Sequence, residues 1–312
     1  MADRNLKRRL LIRGDESHRY HEIDVSNWEP GGNFIGLPTG EDFPEGEEWF
    51  LYYPWQGETK IDHRYENGRL WVNGRVAGVD FLKVKLDDLE NKTTIVTVKA
   101  LPTQLNQVQK LPNLLVLEVL KEEGDLLPLA ELRALTKLTV WPQVDDVLLS
   151  YLANMENLRE LHLYGSQRVN KITDAGLKLV AGLSKLKELV IGGTCPEVTD
   201  TGLSHLKDLE NLRALELHRT AVTDSGLSYL KGFKNLTRLS LSGAKITDAG
   251  LEFLKGFTKL KDLSLMNTGV TDAGIDHLLT LKNLKYLFLK GTKVTEEGIT
   301  RLKKALPNCM FY

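Results

Sequence analysis

The sequence predicts an α/β repeat solenoid. A parallel sheet lines its concave face, helical returns form the convex side, and a small β-rich domain precedes it. Three observations carry this reading. The phrase L-x-x-L-x-L recurs through the C-terminal two thirds of the chain. A second phrase, Thr-Asp-x-Gly, recurs in step with it. Residues 1 to about 90 lack both phrases and hold four of the five tryptophans, Trp28, Trp49, Trp55 and Trp71.

In the N-terminal segment, Leu10 to Arg13, Glu48 to Tyr53 and Arg69 to Val72 read as strands. Asn67-Gly68 predicts a hairpin between Ile61–Tyr65 and Leu70–Val72. Asn73-Gly74 predicts another tight turn before Arg75 to Val79. Gly31-Gly32, Pro38 and the run Gly40 to Pro44 mark a loop-rich span. A solenoid needs its exposed end covered, so residues 1–90 are expected to cap the first turn. A separate recognition or targeting module is the alternative.

The array proper is expected over residues 91–312, with about ten strands. Its first copies are degenerate: Val96 and Val98, then Leu114, Leu117 and Val119, then Leu135, Leu138 and Val140. Six clear copies follow, centred on Leu161, Leu189, Leu215, Leu239, Leu263 and Leu287. The last four centres lie 24 residues apart, and the two earlier intervals are 28 and 26. Leu306, Cys309 and Phe311 end the series in a terminal strand near 306–311.

The spacing has a physical meaning. Alternate strand residues face opposite ways, so Leu239 and Leu241 point inward while Ser240 points out. Leu251, Leu254 and Phe257 share the inner face of the following return. Thr247 or Asp248 is placed to cap that return. The repeated aspartates Asp174, Asp200, Asp224, Asp248 and Asp272 are read as caps rather than a calcium ladder. Asn211, Asn235 and Asn283, each just ahead of a strand, are expected to bond local turn backbone. One turn cannot bury both its strand and its return leucines, but stacked turns can.

These paired phrases resemble those of the leucine-rich repeat family. The copies look like the bacterial 24-residue variety with its G-T-x-[VI]-T-D-x-G-L phrase. The resemblance covers about residues 92 to 312 and implies a curved solenoid and a protein-interaction scaffold. The N-terminal segment resembles no family.

Composition narrows the function classes. There are 41 Lys plus Arg against 42 Asp plus Glu, so no basic excess points to nucleic acid. No apolar run approaches a membrane span, and the start lacks a signal-peptide pattern. Cytoplasmic residence is expected, provided no export signal was removed. Cys195 and Cys309 are too few and too far apart for a disulfide scaffold, and both read as core residues. Gly31 to Gly36 lacks phosphate-loop spacing. His18 and His21, three apart, suit a shared metal poorly. Arg13-Gly14-Asp15 reads as an ordinary turn, and Asn91-Lys92-Thr93 and Asn235-Leu236-Thr237 as uninformative glycosylation matches. No catalytic, cofactor or metal set assembles from local sequence, so a non-enzymatic role with no cofactor is expected.

The outward strand positions vary most. They run Glu118, Thr139, His162, Val190, Glu216, Ser240, Ser264, Phe288, and two residues further on Leu120, Trp141, Tyr164, Gly192, His218, Ser242, Met266, Lys290. A protein partner is expected on this face. Trp141, His162, Tyr164, His218 and Arg219 form the first predicted contact group, and Met266, Tyr286 and Phe288 the second. Packing of Trp141 under the N-terminal domain or against a neighbouring turn is the competing reading. Two other functions stay open: glycan binding through Trp28, Trp49, Trp55 and Trp71, and a hydrolase-like site from His18, Asp62, His63 or Glu66. A monomer and a weak homo-oligomer are equally compatible with the sequence.

Overall fold

The structure, a computed structural model, describes the backbone of seven strands between residues 9 and 80. From residue 97 it describes residues 97–120, 124–141 and 144–312, apart from the side chains of 166–169. The chain divides into two compact units, Met1–Leu138 and Thr139–Tyr312.

In the first unit, β1 (Arg9–Arg13) pairs antiparallel with β2 (Tyr20–Asp24) and with β3 (Phe50–Tyr53). β3 continues antiparallel to β4 (Gly57–Lys60). β2 and β4 carry no strand signal that the sequence reading recognised. β5 (His63–Glu66) pairs antiparallel with β6 (Arg69–Val72), with Glu66 opposite Arg69. That register fits the two-residue connection expected at Asn67-Gly68. β7 (Arg75–Asp80) pairs antiparallel with β6. Its pairing to β8 (Thr97–Ala100) is parallel, and β8 pairs in parallel with β9 (Val116–Val119). A short return, Pro102–Gln104 then α1 (Leu105–Val108), joins β8 to β9. The side chains of Trp28, Trp49, Trp55, Trp71, His18, His21, Asp62, His63 and Glu66 lie outside the described residues, as do Val96, Gly31 to Gly36, Asn91-Lys92-Thr93 and the Arg13-Gly14-Asp15 side chains.

β10 (Lys137–Val140) lies at the division between the units. The second unit is an α/β repeat solenoid. Its strands are β11 (Glu160–Val169), β12 (Glu188–Thr194), β13 (Ala214–Leu217), β14 (Arg238–Ser240), β15 (Asp262–Ser264), β16 (Tyr286–Phe288) and β17 (Met310–Phe311). Each pairs in parallel with the next. Leu161, Leu189, Leu215, Leu239, Leu263 and Leu287 stand opposite one another and are 0–1% exposed. The inward row is therefore the continuous core that the period requires. Cys195 and Cys309 are buried with it as free thiols, and burial lifts the Cys309 thiol to about 11.

The returns differ along the array. α2 (Asp146–Leu152), α3 (Asp174–Val180) and α4 (Asp200–Leu206) are α-helical. Asp224–Gly232 and Gly250–Gly256 are 3₁₀ helices instead. Three residues per turn align Leu227, Leu230 and Phe233, and then Leu251, Leu254 and Phe257, all buried. α5 (Ile275–Leu278) follows a short 3₁₀ turn at Asp272–Gly274, and α6 (Glu296–Ala305) is the longest return of this unit.

The Thr-Asp-x-Gly phrase is a clasp between turns, which corrects the capping role expected for the aspartates. The Thr side chain does the capping: Thr173 Oγ1 accepts from the Ala175 amide, Thr199 from Thr201 and Thr271 from Ala273. Capping needs the extended residue ahead of the first turn, and threonine occupies it. The aspartate after each of these three threonines is already helical and reaches the next turn. Asp146, Asp174, Asp200, Asp224, Asp248 and Asp272 each accept two bonds from the following turn's threonine. The amide donates at 2.7–2.9 Å and the hydroxyl at 2.5–2.7 Å. The two bonds from Thr295 hold the Asp272 carboxyl below its ordinary value. The glycine of the phrase makes room: a Cβ on Gly176, Gly202, Gly226, Gly250, Gly274 or Gly298 would overlap the preceding aspartate's Oδ1.

The asparagines also reach between turns rather than locally. Asn211 Nδ2 donates to the Ser184 carbonyl at 3.2 Å, and Asn283 Nδ2 to the Thr258 carbonyl at 2.6 Å.

Candidate functional site

Strand alternation leaves columns of side chains on the outer face of the second unit's sheet. His162, Val190, Glu216, Ser240, Ser264 and Phe288 stand opposite one another in register, as expected from the sequence. Two of them are not available for contact. Val190 is 3% and Ser240 4% exposed.

Three members of the first predicted group, Trp141, His162 and Tyr164, are brought together at one end of these columns. Trp141 stacks on Tyr164 with ring centroids 4.3 Å apart and planes 23° from parallel. Tyr164 stands opposite Gly192, and a Cβ there would lie 3.1 Å from the Tyr164 ring. The glycine thus lets the tyrosine ring lie across the next strand. His162 meets the Tyr164 ring edge-on at 6.1 Å. Packing against a neighbouring turn and exposure coexist at Trp141, which remains 37% exposed.

His218 and Arg219 lie two strands further on, after β13. Arg219 occupies a position where the backbone turns left-handed in five successive turns. The others are Gly193 (φ 90), Gly243 (φ 74), Asn267 (φ 55) and Gly291 (φ 77), whereas Arg219 has φ 50. An L-residue with a long side chain is disfavoured there. Arg219→Gly is expected to raise the unfolding free energy by about 0.5–1 kcal/mol, the steric cost less glycine's own entropic penalty. Urea unfolding of the single variant measures it, and a loss of stability would show that the Arg219 side chain supports the fold.

The second predicted group is separate. Phe288 stacks on Tyr312 at 5.0 Å and 18°, with Tyr286 and Met266 partly exposed nearby in the columns. β16 is five strand steps from β11, on the order of 24 Å. The Trp141–Tyr164 stack and the Phe288–Tyr312 stack are therefore far apart on one face, with His218 and Arg219 after β13 between them. Between them Ser242 bonds both Ser240, at 3.1 Å, and Ser264, at 2.7 Å.

The sequence reading missed the charged column one step earlier on each strand: Glu160, Glu188, Ala214, Arg238 and Asp262, opposite one another in register. Arg238 reaches Glu216 at 3.2 Å, Glu188 at 3.9 Å and Asp262 at 3.9 Å. Small Ala214 lies between β12 and β14 and leaves the path to Glu188 open. Burial works against the Arg238 charge, but Glu188, Glu216 and Asp262 outweigh it and raise the guanidinium above its ordinary value. Burial likewise opposes the Glu216 charge, yet bonds from His218 and Arg238 bring that carboxyl below its ordinary value. At Asp262 burial wins, and its carboxyl lies above the ordinary value despite Arg238. A 3.9 Å pair without a hydrogen bond does not offset that desolvation. The signal that finds this column is the same alternation, extended two residues back from the outward centre.

The model of the family described as Leucine Rich repeat matches residues 234–255. That match spans one strand and return of the array. An internalin (inlF) from Listeria monocytogenes is 26% identical, with a TM-score of 0.57 over 72% of this chain. The chain covers 62% of that internalin chain. An internalin C2 (inlC2) of the same organism is 25% identical over 73% of this chain and 84% of its own, with a TM-score of 0.47. No curated protein matches the chain. Among the described residues, no helix is long and apolar enough to cross a membrane.

Proposed function

We propose that this leucine-rich repeat protein is a non-enzymatic scaffold that recognises a protein partner on the outer face of its parallel sheet, as an adaptor, sensor or inhibitor. The observation that carries the reading is the Trp141–Tyr164 stack. A tryptophan left 37% exposed is already held at 4.3 Å by its neighbour. Little side-chain freedom remains to be lost when a partner covers it. Large aromatic rings are also the side chains that most often dominate interface energetics. Trp141, His162, Tyr164, His218 and Arg219 form the primary contact in this reading, and Met266, Tyr286 and Phe288 a second one. Its repeats are of the bacterial 24-residue kind, and residues 1–90 serve as cap to an array of residues 91–312.

The test is affinity capture with the intact protein and with a Trp141→Ala, Arg219→Glu double variant. The variant is expected to keep its fold and to lose at least about tenfold in affinity for the captured protein, since central aromatic and Arg contacts commonly carry ~2 kcal/mol each. Unchanged affinity in a folded variant removes this patch from the interface.

A further inference from the structure

Glu160 and Glu188 of the charged column converge with His162 of the adjacent column on the outer face. Each offers one ligand atom, and these atoms all lie within 4.8 Å of one another. The fold sets this up directly. Glu160 and Glu188 are cross-strand partners, and His162 is two residues along the same strand as Glu160, hence on the same face. His162 Nε2 is buried and has no hydrogen-bond partner among the described residues, and it lies 3.6 Å from Glu188 Oε2. A buried imidazole nitrogen without a partner is costly unless something else satisfies it. The Tyr164 ring packs on the imidazole in a T-shaped arrangement.

We propose that Glu160, His162 and Glu188 bind a divalent transition-metal ion of the zinc class. Imidazole nitrogen and carboxylate oxygen are both zinc ligands, and three of them leave a fourth position for water or a partner group. Magnesium and calcium prefer oxygen-only shells and are disfavoured by the histidine. Zinc bonds of about 2.1 Å place ligand atoms roughly 3.4 Å apart, so the glutamates close in by rotamer changes. Arg238 opposes the ion, with its guanidinium 3.9 Å from Glu188 Oε2. It keeps Glu216 at 3.2 Å as an alternative partner when Glu188 turns to the metal. An ion here stands independently of any protein docking on the same face.

The experiment is a zinc titration of the chelator-stripped full chain in competition with a chromophoric zinc indicator. Cobalt substitution supplies the visible absorption of a low-coordinate site. One ion per chain is expected. Glu188→Gln and His162→Gln should each weaken binding by more than about tenfold, the least that loss of a direct ligand costs when outer groups alone cost that much. Arg238→Gln should tighten binding, and magnesium should not compete. Thermal melts of the metal-free variants show that they remain folded. No competitive zinc uptake overturns the proposal, and so does uptake that survives His162→Gln, because the ion then sits on other ligands.

Discussion

Leu239→Ala is expected to lower the unfolding free energy of the repeat unit by about 2–5 kcal/mol. Leu239 is 1% exposed and stands between Leu215 and Leu263, both fully buried. Truncation removes transfer energy and leaves a cavity that neighbours on both sides can fill only in part. Backbone bonds tie the flanking strands to β14, so they cannot collapse inward freely. Each turn contacts only its neighbours, so the loss weakens two junctions of a quasi-one-dimensional stack. Urea unfolding followed by circular dichroism measures it, and a negligible shift in midpoint would contradict the core assignment.

Gly250→Ala is expected to cost about 2–3 kcal/mol although it adds a single methyl group. That methyl would overlap Asp224 Oδ1 and sit 3.2 Å from Leu227 Cδ1. Asp224 must then swing away from Thr247, whose amide and hydroxyl it accepts. The cost combines overpacking with two disrupted bonds to a charged acceptor. Gly256 provides the contrast, because a Cβ there meets nothing within 4 Å. Gly256→Ala should be neutral or slightly stabilising through the unfolded chain. Equal midpoints for the two variants would mean that the aspartate clasp carries no stability.

Much of the fold is legible in the sequence because burial leaves a periodic trace. The inward leucines are visible from L-x-x-L-x-L, and the outward centre His162 to Phe288 follows from alternation alone. The same alternation contained Glu160, Glu188, Arg238 and Asp262, but charged residues beside a leucine look like ordinary solvated surface. Their grouping depends on cross-strand register between turns up to 28 residues apart, which spacing alone does not display. The aspartates were harder to read for a related reason. Asp174 lies next to the capping residue Thr173 in sequence, yet its partner, Thr199, belongs to the following turn. A capping role and a role between turns leave the same Thr-Asp pattern in the chain. Arg219 illustrates a third gap, since its left-handed backbone becomes evident only beside Gly243 and Gly291.

The clasp also has a consequence for how such a chain can change length. Thr223, Thr247, Thr271 and Thr295 begin equivalent junctions 24 residues apart, each received by the aspartate of the turn before. Every such turn carries one half of a joint at each end, and the halves are interchangeable. Excising or duplicating a block from one threonine to the next restores the same joint at the seam. Gene-level gain or loss of whole modules can therefore lengthen or shorten the outer face without new chemistry at the splice, leaving selection to act on the outward side chains alone.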